Sequence, residues 1–233
     1  TSFIPAGGTQ TGPNGVIAPE TGDQLEAGVK VALLSNRLFA TASVFRIQRD
    51  HIATFYQDPV TFSPFWKATD SERSTGAEFE LTGEVAPGFS VVGHIGLIDN
   101  EFTGTDLAPK LGRTRHGLSR NTASLWAVYA PASGAAKGLR LGAGAFYSGP
   151  QFLEDYNTVE LGGRTVCDAL AAYTRDRWSV QLNVLNLFDR AYHLPSGNGY
   201  NDPAYSAANY NSSVQSVMPG PGRTWRVKLS WTF

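Results

Sequence analysis

Few residues of this chain have the types and the spacing that catalysis requires. Glu78 and Glu80 are two positions apart, so on a strand both carboxylates would lie on one face and could form an acid–base pair. The alternative is structural: if the strands form a β-barrel, its polar, water-filled interior would hold such side chains without any catalysis. Four histidines, on separate segments and without the spacing of metal ligands, are better interpreted as polar barrel or loop residues: His51, His94, His116 and His193.

The local motifs of nucleophilic and phosphate-binding sites are also missing. Cys167 is the single cysteine and lies in a strand-like stretch, so we expect an inert thiol and no internal disulfide. The sequence has no Gly-x-Ser-x-Gly elbow, and Gly142 and Gly144 belong to a segment with strand alternation. We therefore expect no enzyme, no metal site and no cofactor.

Composition excludes further classes of protein. The 233 residues carry a net charge of −1 and only 17% charged residues, so no nucleic-acid partner is expected. No run of 18 apolar residues is present, which argues against a transmembrane helix but leaves a barrel open, because alternating strands average to a slightly polar hydropathy. Thr1 begins no signal peptide, so we expect a mature form, a processed form or a fragment.

The segment Arg223–Phe233 shows which kind of element positions these residues. Its 11 residues alternate strictly between apolar and polar side chains, and this length lets a tilted strand cross a bilayer. A long amphipathic strand of a soluble sandwich is the alternative. Aromatic residues near the strand ends suit an interfacial membrane belt, and we assign to it Trp178, Trp225, Trp231 and Phe233.

Connection lengths give a second, independent indication. Nine alternating segments are predicted, or ten if Thr1–Ile4 is the tail of another strand. The predicted connections are residues 35–36, 50–71, 86–88, 103–117, 131–138, 149–164, 175–177 and 189–222. Long connections largely alternate with shorter ones, which is typical of a membrane barrel with short periplasmic turns and long extracellular loops. Because bacterial single-chain barrels have even strand numbers, we expect this chain to be the C-terminal part of a larger barrel.

Four stretches carry a resemblance to a known family: Pro19–Lys30, Thr75–Gly83, Asn183–Tyr192 and the Pro221–Thr224 entry to a final strand ending in Phe233. They resemble the TonB-dependent outer-membrane receptors, over essentially the whole chain. Within that family the sequence looks most like receptors for ferric hydroxamate siderophores of the ferrichrome, coprogen and pyoverdine types.

The resemblance implies an all-β, antiparallel transmembrane β-barrel of 22 strands with a plug inside it. Residues 1–233 would supply its last nine to ten strands, as the C-terminal part of the barrel domain, with the plug domain absent. The implied function is ferric siderophore uptake, energised through TonB, in the outer membrane of a Gram-negative bacterium. The implied partners are the siderophore with its iron as substrate, the TonB complex through the plug, the barrel-assembly machinery, the lipid bilayer and lipopolysaccharide.

Aromatic and arginine side chains in the predicted loops suit a bulky iron chelate, by stacking and by charge-assisted hydrogen bonds. Their alternative role is to pack loop against loop or to join the outer aromatic girdle. The candidate substrate-binding residues are Tyr56, Phe65, Trp66, Arg113, Arg115, Tyr156, Tyr200, Tyr205 and Tyr210.

Three other functions stay open at this point. A passive porin, or another outer-membrane barrel such as an adhesin or an enzyme, would show the same strand pattern without a plug. A TonB-dependent receptor for cobalamin, haem or an oligosaccharide would share the whole architecture. A soluble β-sandwich binding module would have shorter strands.

Overall fold

The computed structural model describes residues 11–12, 15–57, 64–195 and 217–232, and its main element is a nine-stranded sheet. The strands are β1 Thr21–Leu33, β2 Leu38–Gln57, β3 Pro64–Ala86, β4 Phe89–Gly104, β5 Asn121–Tyr129, β6 Leu139–Ser148, β7 Arg164–Arg175, β8 Trp178–Leu185 and β9 Thr224–Trp231. Each strand pairs antiparallel with its neighbour in sequence, from β1 to β9. This up-and-down order confirms the predicted antiparallel strands.

Alternation and register together divide the sheet into an apolar face and a polar face. Directly paired residues share a face, and the row Ala27, Val44, Ala77, Leu97 runs across the first four strands on the apolar face. Leu25 at one edge and Leu229 at the other are 76% and 71% exposed. The apolar face is thus uncovered by any other layer of the described chain, as a face meant for lipid would be.

Short and long connections lie at opposite ends of the strands. At the turn end, the strands are joined by residues 34–37, 87–88, 130–138 and 176–177. At the loop end, the connections are residues 58–63, 105–120, 149–163 and 186–223, of which 58–63 and 196–216 lie outside the described residues. Apart from the one between β2 and β3, the predicted order of short and long connections is confirmed.

The predicted loop at residues 50–71 is wrong, because β2 and β3 extend through most of it. Their pairing continues past the apolar face, from Ile52 opposite Asp70 to Gln57 opposite Pro64. A register shift lies near His51, whose φ is +59°. Beyond the apolar face both sides of a strand meet polar surroundings, so the sequence there loses the alternation that would identify a strand.

Strand β8 ends earlier than the predicted Phe188. Asn186 adopts φ +51°, which ends the extended conformation, and its backbone N–H donates to Asp168 Oδ1 at 2.8 Å. The predicted final strand to Phe233 is described as far as Trp231, while Phe233 and a tenth strand from Thr1–Ile4 lie outside the described residues.

Glycines on the polar face make room for an aromatic ring. A Cβ atom built on Gly144 would lie 2.2 Å from Cε3 of Trp126, and one on Gly142 would lie 3.0 Å from its Cζ2. The ring of Trp126 therefore covers these two glycines of β6, with Phe146 at 6.4 Å between ring centroids. This explains the glycines as packing positions of a strand, as predicted, and a phosphate loop is not formed there.

Helical structure in the described ranges is limited to a 3-10 turn, Ala108–Lys110. None of the helices there is long and apolar enough to span a membrane.

Candidate functional site

The loop end of the sheet is organised around Lys110, the last residue of the 3-10 turn. Its Nζ lies 2.6 Å from Asp70 Oδ2 on β3, 3.2 Å from Asp155 Oδ2 in the 149–163 loop, and 4.2 Å from the centroid of the Phe102 ring on β4. The side chains of Lys110 and Asp70 are both 1% exposed. One buried cation thus joins two strands to two loops.

Asp155 is held as an anion at this junction. His116 donates to Asp155 Oδ1 from its backbone N–H at 3.0 Å and from ring Nδ1 at 2.6 Å. Burial alone would raise the pKa of Asp155, but the hydrogen bonds from His116 and the positive charge of Lys110 outweigh it and lower the pKa to about 2. The ionised carboxylate therefore balances Lys110 at neutral pH.

Further hydrogen bonds join the 149–163 loop to the 105–120 loop. The Asn157 side chain accepts from the backbone N–H of Thr114 at 2.8 Å and donates to the Thr114 carbonyl at 2.7 Å. Within its own loop, the buried carboxylate of Glu154 accepts from the backbone N–H groups of Tyr156 at 2.6 Å and Val159 at 2.9 Å. These hydrogen bonds join the two loops into one unit.

Beside this unit, two arginines share a carboxylate on the polar face. Glu72, whose side chain is 4% exposed, pairs with Arg49 of β2 and with Arg115 of the 105–120 loop. Arg49 also pairs with Glu20 at 2.6 Å. The two guanidinium groups remain 38% and 35% exposed, so they can offer N–H donors to an anionic or hydroxamate oxygen.

The structure brings some of the predicted substrate-binding residues close to these clusters. Arg115 is part of the Glu72 cluster, and Arg113, two residues earlier in the same loop, is exposed. Tyr156 is half-buried next to Asp155. These three residues therefore border the joined loops.

The aromatic residues predicted for the first long loop lie on strands instead. Phe65 and Trp66 are half-buried on β3, and the backbone of Tyr56 on β2 pairs with Phe65. The reason is the extension of β2 and β3 beyond the apolar face. Tyr200, Tyr205 and Tyr210 lie outside the described residues.

Sequence reasoning missed the residues that organise the loop end. Asp70 and Lys110 are 40 residues apart, and Asp155 comes from a third segment, so no local spacing indicates their contact. Glu72 directly follows the wrongly predicted loop, and the sequence pattern indicates no function for it. No local run of charged residues marks them in the sequence, and only the folded strands and loops bring these charges together.

Three of the predicted girdle residues, Trp178, Trp225 and Trp231, lie on the apolar face, and Phe233 lies outside the described residues. Trp178 and Trp231 pair across β8 and β9 at the turn end, with ring centroids 4.2 Å apart and planes at 74°. Trp225 lies near the other end of β9, opposite Val184, and is exposed. Aromatic residues therefore stand at both ends of the final strand, the arrangement that an interfacial belt needs.

The Asn183–Tyr192 stretch ties the two ends of the 186–223 connection together. The buried side chain of Asn186 accepts from Arg190 N–H at 2.9 Å and donates to the carbonyls of Arg190 and Pro221 at 2.9 and 3.1 Å. Asp189 Oδ1 accepts from the backbone N–H of Arg223 at 2.8 Å. These contacts give the motif a structural role at the entry to β9.

Glu78 and Glu80 share the polar face of β3, as predicted for an interior that holds polar residues. No group of three or more His, Cys, Asp or Glu residues in the described ranges could hold a metal ion.

A nine-stranded meander with an uncovered apolar face and long loops at one end defines a transmembrane β-barrel domain. The sequence matches the family model described as TonB dependent receptor-like, beta-barrel, over residues 1–187. The chain therefore belongs to this family, whose members are outer-membrane proteins of Gram-negative bacteria.

Three curated relatives illustrate the similarity. The chain is 34% identical over 206 residues to a ferrichrome outer membrane transporter/phage receptor of Escherichia coli K12, covering 85% of this chain and 26% of the relative. It is 32% identical over 234 residues to a metal-pseudopaline receptor of Pseudomonas aeruginosa, covering 99% and 30%. It is 32% identical over 203 residues to a ferrioxamine B receptor of Salmonella typhimurium, covering 82% and 27%. The chain thus spans between a quarter and a third of the length of the curated relatives it matches.

Solved structures show the same fold. The ferric preacinetobactin receptor of Acinetobacter baumannii superposes with a TM-score of 0.74 at 24% identity, covering 99% of this chain and 32% of that one. The siderophore receptor PiuA of the same species gives a TM-score of 0.72 at 24% identity, covering 93% and 29%. At these identities the likeness shows the barrel fold alone.

Proposed function

We propose that this chain forms part of the barrel of an outer-membrane receptor that takes up ferric siderophores with energy delivered through TonB. The structural observation that supports the proposal is the pair of half-exposed guanidinium groups, Arg49 and Arg115, held over the buried carboxylate of Glu72 at the loop end. The ferrichrome and ferrioxamine B relatives give the cargo class. Iron arrives as part of the substrate, and no resident cofactor is proposed.

The proposed recognition chemistry follows from the side chains at the loop end. Hydroxamate oxygens around a ferric ion carry partial negative charge, and Arg113 and Arg115 would donate charge-assisted hydrogen bonds to them. Phe65, Trp66 and Tyr156 would pack against the apolar surface of the chelate. Four tyrosines that lie outside the described side chains or residues are further proposed contacts: Tyr56, Tyr200, Tyr205 and Tyr210.

In this proposal residues 1–233 are the C-terminal part of the barrel domain, and a plug encoded elsewhere in the protein carries the contact with TonB. The loop end would face the outside of the cell and the turn end the periplasm. Trp178, Trp225, Trp231 and Phe233 would sit at the two membrane interfaces. Phe233 would also serve the barrel-assembly machinery as its signal.

A second cargo class is supported by one observation. The metal-pseudopaline receptor matches 99% of this chain at 32% identity, a wider coverage than that of the ferrichrome transporter. An anionic metal chelate of this second class would use the same arginines through charge-assisted hydrogen bonds.

Binding to the whole receptor in detergent tests the proposal. Ferric ferrichrome, ferric ferrioxamine B and a metal–pseudopaline complex are each titrated while intrinsic tryptophan fluorescence is recorded. We expect saturable quenching by a hydroxamate chelate, weakened about tenfold or more by Arg115→Ala, because a hydrogen bond to a charged group contributes about 1.5–3 kcal/mol. The control is Arg175→Ala, an exposed cation at the turn end, which should bind as the unmodified receptor does.

The outcomes separate the two cargo classes. Quenching by the pseudopaline complex alone would replace the hydroxamate class with the second one. Absence of quenching by all three chelates would contradict siderophore uptake and would favour a receptor for another ligand or a passive porin.

A further inference from the structure

A chain of four alternating charges crosses the loop end of the polar face. Glu20 pairs with Arg49, which also pairs with Glu72. Glu72 in turn pairs with Arg115 of the 105–120 loop. The chain contains two carboxylates and two guanidinium groups, so its own charges balance. Without Glu20, the same cluster would carry one positive charge in excess.

Glu20 occupies one side of the Arg49 guanidinium group. Its Oε1 atom accepts from Arg49 Nε at 2.8 Å and lies 2.6 Å from Arg49 Nη2. The remaining nitrogen of this guanidinium, Nη1, donates to Glu72. All three nitrogens of Arg49 therefore contact carboxylates, and an oxygen of an incoming anion would compete with Glu20 for two of them.

The two carboxylates of the chain differ in their access to a ligand. The Glu72 side chain is 4% exposed, whereas that of Glu20 is 35% exposed, nearly as much as that of Arg49 at 38%. Glu72 thus holds the two arginines from below. The Glu20 carboxylate lies at the surface that Arg49 presents, so its charge acts directly on a ligand bound there.

Other ionisable groups near the cluster give a background that does not depend on Glu20. In the described part of the chain, the ion pair of Glu20 is the one with Arg49. A neutral residue at position 20 would therefore change the local charge by one unit and leave the other ion pairs in place. The groups of this background belong to the buried junction and the 105–120 loop: Asp70, Lys110, Arg113, His116 and Asp155.

We propose that Glu20 is a specificity-determining residue that disfavours negatively charged iron chelates at the arginine cluster. The proposal rests on the proposed function, because it states which of the two cargo classes the cluster accepts. In a ferric trihydroxamate three hydroxamate anions balance the ferric ion, and this neutral chelate can accept hydrogen bonds from Arg115 beside Glu20. An anionic chelate would be repelled by Glu20 or would have to displace it from Arg49, which is discrimination by a repulsive element.

A series of charges on one chelate tests the proposal. Ferric ferrioxamine B carries a free amine and is positive, its N-acetyl derivative is neutral, and its N-succinyl derivative is negative. Each is titrated into the whole receptor in detergent at about 0.1 M salt, with quenching of tryptophan fluorescence as the readout. The same titrations are made with Glu20→Gln. The glutamine oxygen can still accept from Arg49, so this variant removes the charge and keeps a hydrogen bond.

The expected change has opposite signs for the two charged chelates. Glu20→Gln should bind the negative chelate about fivefold more tightly and the positive one about fivefold more weakly, with the neutral one unchanged. A fivefold change corresponds to about 1 kcal/mol, the energy of two unit charges about 4 Å apart in water. At about 1 M salt, where the screening length is about 3 Å, the three affinities should approach one another. Glu20→Asp keeps the charge and should retain the order of the unmodified receptor.

Glu26→Gln is the matched control. It removes the same charge from the polar face of β1, where Glu26 accepts from the Gln24 side chain at 3.0 Å. Six residues of extended chain place it about 20 Å from Glu20, twice the screening length of about 10 Å at 0.1 M salt. Its affinities for the three chelates should match those of the unmodified receptor.

Several results would overturn the proposal. Equal changes for all three chelates in Glu20→Gln would show that Glu20 only positions Arg49, and no change would remove Glu20 from the site. The same shift in Glu26→Gln would assign the selectivity to the general charge of the polar face. Binding with an unshifted order overturns this proposal alone, whereas absence of binding by every chelate to the unmodified receptor overturns the proposed function as well.

Discussion

Lys110 Nζ and Asp70 Oδ2 lie 2.6 Å apart, between side chains that are both 1% exposed and 40 residues apart in sequence. Such a pair costs desolvation energy to form, and removing one partner leaves an uncompensated buried charge. The pair fixes the 105–120 loop to β3, and Asp155 extends the contact to the 149–163 loop. The 105–120 and 149–163 loops are therefore held against β3 at the loop end.

Replacing Lys110 with methionine tests how far the order of these two loops depends on a single cation. Lys110→Met leaves Asp70 and Asp155 buried without their counter-charge, so we expect the loop unit to lose about 3–5 kcal/mol of stability. Hydrogen exchange of the whole receptor should show lost amide protection in residues 105–120 and 149–163.

The matched control is Lys67→Met, at a pair with Asp106 that is partly exposed on both sides. An exposed pair contributes about 1 kcal/mol or less, so protection should hardly change. If Lys110→Met exchanged like this control, the buried pair would not be what orders the loops.

Acid should loosen the same unit through Asp155. Its pKa is about 2 when folded and about 3.9 when unfolded, so ionisation stabilises the fold above about pH 4 and this stabilisation is lost as the pH falls toward 2. The difference between the folded and unfolded pKa corresponds to about 2–3 kcal/mol. Asp155 faces Lys110 and His116, and Asp70 shares Lys110 with it.

Pepsin, which is active at these pH values, can report the loosening. Cleavage in the 149–163 loop should accelerate between pH 4 and pH 2 in the unmodified receptor. Asp155→Asn should cleave faster at pH 4 and lose most of the acceleration. Identical pH profiles for the two proteins would show that Asp155 does not couple this loop to pH.

The sequence predicted the strands well wherever one face of the sheet is apolar, because alternation is then imposed by two different surroundings. It failed at residues 50–71, where β2 and β3 continue between polar surroundings and keep their pairing, from Ile52 opposite Asp70 onward, without an apolar face. The same limit explains why Phe65 and Trp66 were assigned to a loop.

The glycines beneath Trp126 offer a test of packing on the polar face. Gly144→Ala would place a Cβ atom 2.2 Å from the ring and 3.0 Å from the Leu125 carbonyl oxygen, so the ring must move, at a cost of about 1–3 kcal/mol. Gly93→Ala is the control, because its Cβ atom would meet neighbours at 3.5 Å or more. Heat unfolding in detergent should occur at lower temperature for Gly144→Ala only, and equal unfolding would contradict the packing.

A charge placed on the apolar face tests whether that face meets lipid. Val227 is 67% exposed on β9, and Val227→Arg should destabilise the barrel in a bilayer by about 2–4 kcal/mol near the membrane centre. Ser230→Arg adds the same charge to the polar face of β9 and should cost less. Unfolding by denaturant in lipid vesicles compares them; a Val227→Arg barrel as stable as the Ser230→Arg one would place the apolar face elsewhere than in lipid.

The candidate site was less predictable than the fold. Arg115 was named from residue type and position in a loop, and it does join the Glu72 cluster. Its partner Glu72, the cation Lys110 and the carboxylates of Asp70 and Asp155 carried no local signal, since their contacts depend on the register of β3 and β4 and on how two loops fold back. Charge pairs between residues so far apart in sequence form only when the chain folds, so no local sequence motif indicates them.

Uptake of radioactive iron tests the central claim most directly. Iron-starved cells whose only receptor for the chelate is the whole protein containing this chain are given ferric ferrichrome or ferric ferrioxamine B, with and without a functional TonB complex. We predict saturable uptake that stops when TonB is removed. Uptake that rises in proportion to chelate concentration and is unaffected by TonB, or no uptake of either chelate, would contradict a TonB-energised siderophore receptor.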